Sequence, residues 1–170
     1  MTDLDQLAGA AQLGDPVALA AFVRATQADV WRFCAYLAGR DDADDLAQDA
    51  YVRALRALPA WRHDAPARVW LLAIVRRTVA DHHRRNRRRR RLTPPAPPLA
   101  TVDRSGEHAV RALIAGLEPD RRAAFVLTQV LGLRYDEAAE ICGCPVGTIR
   151  SRVARARDDL IQAEGEAATA

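Results

Sequence analysis

Apolar residues recur along this chain at intervals of three and four from Leu19 to Leu160, while alternation at every second residue is scarce. That is the period of helices with one buried face, so the chain is expected to be all-α. The first pattern opens at Pro16 and runs through Leu19, Phe22 and Val23 to Val30, Trp31, Cys34, Leu37 and Ala38, which fits two helices or one bent one. Gly39 stops it. Asp41 or Asp42 can cap the next helix, DADDLAQDAYVRALRAL, which Pro59 ends after Leu58. A loop holding Trp and Pro, WRHDAPARVW, then leads into WLLAIVRRTVADHHRR, where Trp70, Leu71, Ile74 and Val75 look like core at helical spacing.

The pattern lapses over Leu92 to Gly106, LTPPAPPLATVDRSG, whose four Pro favour an extended backbone. At about 3.1 Å per residue this linker spans up to roughly 45 Å. It divides the chain into 1–91, the linker 92–106, and 107–170. In the last part Leu113, Leu117, Phe125, Val126, Val130 and Leu131 predict two helices, the second opened by Pro119. Two further patterns meet at Gly143, Cys144 and Pro145 within YDEAAEICGCPVGTIRSRVARARDDL, the spacing of a helix-turn-helix. Gly143 can end one helix in the left-handed conformation and Pro145 presets the first turn of the next. Beyond it, AEGEAATA lacks core-forming side chains and is expected to fray.

Composition narrows the class. With 170 residues and 49% hydrophobic content, the chain can form one ordinary domain or two small ones, and disorder is excluded for most of it. No stretch approaches a membrane span, and MTDLDQLAGAAQLG is not the basic-then-apolar start of a signal peptide, so a cytoplasmic protein without membrane insertion is expected. Every one of its 25 basic side chains apart from histidine is Arg, and the segment Arg84 to Arg91 holds seven of them. Taking those seven from the 25 leaves 18 against 22 acidic residues, so a mildly acidic body carries one concentrated basic run. Such a distribution points to phosphate contact at a defined place.

Four features carry candidate chemistry. In the last helix Ile149, Val153, Ala156 and Leu160 share an apolar stripe while Thr148, Ser151, Arg152 and Arg155 share a polar flank suited to a major groove; the competing reading is an Arg-rich solvated face. The loop at Trp61 interleaves aromatic and cationic groups, which can stack an unpaired base at about 1–3 kcal/mol per base. Equally, its Trp residues can be core anchors; burial is expected for Trp70 and Trp61 stays open. The helix after the loop presents Arg76, Arg77, His82, Arg84 and Arg85 on the way to the Arg run, so its polar side would face nucleic acid. Finally, Asp45, Gln48 and Asp49 lie at i, i+3 and i+4, with Leu46 and Ala50 free to face the core, and their helix start carries more carboxylates than a cap requires; a basic partner surface is the complement. Asp81-His82-His83 matches a metal-phosphoesterase tripeptide, but no further ligands on strands accompany it. Cys34, Cys142 and Cys144 read as small core residues, since no second ligand pair joins Cys142-Gly143-Cys144. No catalytic site, metal or cofactor is expected.

The order of acidic helix, aromatic loop, basic helix, Pro-rich linker and C-terminal helix-turn-helix resembles the extracytoplasmic-function sigma factors of bacterial RNA polymerase. DDLAQDAYVRAL is similar to their polymerase-docking helix, RVWLLAIVRRTVADHHRR to their promoter-melting and minus-ten helix, and CPVGTIRSRVARARDDL to their minus-thirty-five recognition helix, in wording closest to the actinobacterial sigma-C branch. The resemblance implies that 1–91 is a region 2-like unit and 107–170 a region 4-like unit. It implies polymerase contact at Asp45, Gln48 and Asp49, and minus-ten contact at Trp61, Arg62, His63, Asp64, Arg76, Arg77, His82, Arg84 and Arg85. Thr148, Arg150, Ser151, Arg152 and Arg155 would address the minus-thirty-five element. Core RNA polymerase and promoter DNA are the implied partners, with an anti-sigma factor as a further candidate. Arg77 replaces a frequent Asn and Arg134 a usual capping Ser, and the linker is Pro and Ala where the family often has acidic residues. A free-standing helix-turn-helix regulator is the competing class, for which dimerisation and paired half-sites would be expected.

Overall fold

A computed structural model describes residues 3–92 and 106–169, and side chains over 3–88 and 109–165. Apart from its two end residues the expected linker lies outside the described residues, as do the side chains of Arg89 to Arg91. Among the described residues all regular structure is helical.

The first helix, α1 (Asp3–Gln12), has no counterpart in the sequence expectations; it buries Ala8 and Ala11. Next comes α2 (Pro16–Ala38), one unbroken helix. Asp15 caps it, its Oδ1 accepting from Val17 N at 2.8 Å and Ala18 N at 3.1 Å, and Gly39 ends it at φ 99°, where a Cβ would be strained. α3 (Ala43–Ala57) follows. Asp42 occupies its N-cap position without capping it: φ −94° and ψ −7° are already helical, which aims the carboxylate elsewhere, toward His82. Pro59 lies in a short 3-10 turn, Leu58–Ala60, and α4 (Ala67–Leu92) carries the Arg run.

In the second half, α5 (Gly106–Gly116) precedes α6 (Pro119–Phe125), which Glu118 caps through Asp120 N and Arg121 N, both at 3.1 Å. A π-helical turn, Val126–Val130, prolongs α6. α7 (Tyr135–Cys142) ends at Gly143 in the left-handed region, φ 63° and ψ 40°, as its sequence predicts. Arg134 has no acceptor to offer at the N-cap of α7; instead Glu137 reaches back to Arg134 N at 2.8 Å, half of a capping box. α8 (Val146–Thr169) stays helical through most of the tail expected to fray.

Phe33, Leu71, Leu72 and Val75 are among the fully buried side chains of α2 and α4, and Val126, Leu127, Ile149 and Val153 play that part in the second half. Each such side chain contributes roughly 1.5–3 kcal/mol relative to exposure. The halves are not separate: α7 lies against α4, while α2 meets α5, α6 and the π turn. Polar bonds lock that seam. Arg68 pairs with Asp29 at 2.7 Å and donates to Leu131 O at 2.8 Å, and Arg122 donates to Leu37 O at 3.3 Å.

Candidate nucleic-acid and partner interfaces

On α3, burial of Leu46 and Ala50 turns Asp45 and Gln48 outward. Val52 and Leu55 extend the same stripe at spacings of four and three, and both are exposed large apolar residues, 40% and 42%. Their sequence signal was available: two apolar side chains on a helix's polar face. Asp49 is half-buried and already engaged, 3.1 Å from Arg53 and 3.9 Å from Arg85. Arg53 also reaches Asp81 at 2.7 Å, and that bond holds the Asp81 carboxyl below its usual range. Carboxylates and guanidinium groups thus alternate between α3 and α4.

The loop between Pro59 and Pro66 is folded around Trp61, which is 6% exposed, its ring centroid 3.9 Å from His63 and 5.7 Å from Trp70. Trp61, left open by the sequence, is the anchor, whereas Trp70, expected to be buried, is only half-buried and borders a recess. The recess, about 310 Å³, is lined by Trp61, Arg62, Asp64, Trp70 and Arg77, with Glu140 of α7 at its edge. Arg62 and Asp64 pair at 2.7 Å while both stay exposed. An aromatic wall with a guanidinium and a carboxylate at its rim can hold a planar base by stacking and by its edge.

The remaining sequence-selected residues of α4 are elsewhere. Arg76 turns to Asp120 of α6 at 3.2 Å; His82 faces Asp42 at 3.1 Å; Arg84 pairs with Asp81, and Arg85 with Asp49. His83 donates from Nε2 to Leu37 O at 3.1 Å, and burial pushes its pKa down. The side chains of Asp81-His82-His83 therefore diverge, Asp81 to Arg53 and Arg84, His82 to Asp42 and Asn86, and His83 to Leu37 O.

On α8, Ile149, Val153 and Ala156 are buried, leaving Arg150, Ser151 and Arg155 exposed and Thr148 at the margin. Ser151 Oγ donates to Thr148 O at 3.0 Å. Arg152 turns inward to Asp120 at 2.5 Å, with Cys144 Sγ 3.6 Å from its Nη1. One carboxylate thus holds Arg76 from the first half and Arg152 from the second. Burial raises the thiol pKa of Cys34 to about 12 and of Cys142 to about 11, so both are inert thiols near neutrality.

Comparison with known proteins bears on both halves. Residues 22–89 match the family model for Sigma-70 region 2, and residues 107–160 match that for Sigma-70, region 4. The ECF RNA polymerase sigma factor SigC of Mycobacterium tuberculosis (strain CDC 1551 / Oshkosh) is 52% identical over 163 residues, 91% of this chain and 88% of the relative. The sigma factor RpoE from Bartonella quintana, solved with the anti-sigma factor NepR, superposes with a TM-score of 0.72 at 27% identity, over 82% of this chain and 92% of that one. CnrH, solved with the cytosolic domain of CnrY, gives 0.76 at 26% identity, over 96% and 99%. No helix among the described residues is long and apolar enough to cross a membrane.

Proposed function

We propose how this chain does its work from the premise that it belongs to the extracytoplasmic-function group of the sigma-70 family. As an RNA polymerase sigma factor it directs core polymerase to specific promoters and aids strand opening at initiation. Nucleotide addition falls to the polymerase and none to this chain, which acts in the cytoplasm where polymerase and DNA meet.

Residues 1–91 form the unit that docks on polymerase and opens the minus-ten element, 92–106 link the units, and 107–170 read the minus-thirty-five element. Asp45, Gln48 and Asp49 meet basic polymerase groups, and Val52 and Leu55 supply an apolar flank to the same contact. The recess at Trp61, Arg62, Asp64 and Arg77 receives a base that leaves the stack; His63 shapes it, and Arg76, His82, Arg84 and Arg85 follow the strand. Arg150, Ser151 and Arg155 approach the major groove at once, with Thr148 at their edge, whereas Arg152 joins them only after leaving Asp120. A protein of the anti-sigma type is a third partner, as the Bartonella relative has one.

The observation that carries this reading is the pair of region matches, in order, on a chain that spans 88% of its SigC relative. Co-purification with core polymerase, followed by run-off transcription on fragmented genomic DNA, tests it. Promoter-specific transcripts that require the added chain are expected. Failure to bind core polymerase, with tight sequence-specific DNA binding by the pure chain, would instead identify a free-standing regulator.

A further inference from the structure

The loop assigned to the flipped base is held from outside by a helix that the region 2 match, starting at residue 22, does not include. Gln12, the last residue of α1, reaches it with both ends of its amide. Nε2 donates to Trp61 O at 2.8 Å and, at 3.4 Å, to Pro59 O; Oε1 accepts from His63 Nε2 at 2.9 Å. Those bonds span 47 to 51 residues of sequence, so they close a long loop of chain. Two further features of α1 act on the same segment. Asp5 Oδ1 accepts from Ala67 N at 2.7 Å, fixing the point where the loop becomes α4, and a Cβ on Gly9 would stand 3.7 Å from His63 Cε1, so the helix passes close under the ring.

The loop needs such a hold. Among the described residues His63 alone, apart from Gly, has a positive φ, 61°, a region that L side chains disfavour. Its ring is nevertheless placed on Trp61, which lines the recess. With the amide of Gln12 removed, His63 loses its partner and two carbonyl groups of the turn lose their donor. The Arg62–Asp64 pair does not replace them, being exposed and joining residues two apart.

We propose that Gln12 is a positioning residue for strand opening: by clamping Pro59, Trp61 and His63 it preshapes the recess that captures the flipped base, which makes α1 part of the promoter-melting apparatus. This rests on the assignment of the recess to base capture. A preshaped site avoids ordering the loop at the moment the base leaves the stack, so loss of the clamp slows opening and leaves initial promoter binding alone.

The test uses holoenzyme assembled from core polymerase and the full chain, on the strongest promoter from the run-off set, with 2-aminopurine at successive non-template positions of the minus-ten segment. Fluorescence reports when each base unstacks. For Gln12→Ala the opening rate is expected to fall about tenfold, with closed-complex affinity and core assembly unchanged and the melting temperature lowered by at most about 4 °C. Gln12→Glu keeps the side chain's size but turns an acceptor toward two carbonyl oxygens, and is expected to be slow as well. Asp64→Ala, at the exposed rim of the recess, reports on the base-capture assignment itself. Slow opening in Asp64→Ala with wild-type rates in both Gln12 variants would overturn the clamp and leave base capture standing. Wild-type rates in all three would overturn both. Loss of core assembly or a larger fall in melting temperature in both Gln12 variants would make the contact structural and overturn the positioning role.

Discussion

Arg152 and Arg155 are three positions apart on one helix and have different fates. Arg155 is exposed and has no ion pair among the described residues, whereas Arg152 is bound to Asp120. Arg155→Ala is therefore expected to reduce discrimination at the minus-thirty-five element by about 1–3 kcal/mol if it donates two bonds to a guanine, with little change in the free protein. Competition among promoter variants in holoenzyme assays measures it. His83 offers a second residue-scale test. Its ring is held neutral by burial, beside Arg122, Arg87 and His82, none of which welcomes another cation. A depressed histidine pKa means the native state binds fewer protons than the unfolded chain. The stability the neutral ring contributes is full above its ordinary value of 6.5 and is lost as pH falls through the lowered one. His83→Gln keeps a donor for Leu37 O, so its melting temperature is expected to drop less than wild type between about pH 7.5 and about pH 5.5. Neither fate was legible in sequence: period places a side chain on a flank, but Asp120 and Leu37 meet these residues only in the folded chain.

At the scale of elements, the helices that read most clearly were those with both punctuation and period. Pro16, Gly39, Pro59, Pro119 and Gly143 all mark real boundaries, and Leu46, Ala50, Ile149 and Val153 are buried as their spacing required. Helix α1 was missed although Leu4, Leu7, Ala8 and Ala11 follow the same period, because Ala at two of four positions gives a weak apolar signal. Its amide contact with the loop lies beyond any local pattern. The acidic face of α3 was legible as a face, not as single residues. Asp49 neutralises Arg53 and Arg85, so reversing its charge would disturb the α3–α4 contact as well as any partner. Asp45 makes no ion pair among the described residues and is the cleaner probe. Asp45→Arg is expected to abolish capture of core polymerase, since like charge at an interface costs several kcal/mol, while unfolding stays within about 0.5 kcal/mol of wild type. A pull-down beside a denaturation curve checks both halves of that statement.

For the whole molecule the decisive residue is Asp120, which bonds Arg76 at 3.2 Å and Arg152 at 2.5 Å and so ties a minus-ten candidate to a minus-thirty-five candidate. The promoter elements those residues would address are about 25 base pairs apart by name, roughly 85 Å along a duplex at about 3.4 Å per pair. If those assignments hold, a chain with its halves in contact would not reach both. Asp120→Arg places three guanidinium groups together and is expected to part the halves: the radius of gyration from small-angle scattering rises while helical circular dichroism stays near wild type. An unchanged radius would mean that the α4–α7 contact and the Arg68 and Arg122 bonds suffice without the carboxylate.

The shared carboxylate also bears on gene dosage. A sigma chain that holds Arg76 and Arg152 on one carboxylate would settle only weakly on its promoters ahead of polymerase, so surplus copies would not become roadblocks. Output from its target genes would climb with sigma concentration until the supply of core enzyme runs short, then level off, and overproduction would not turn the activator into a repressor of its own regulon.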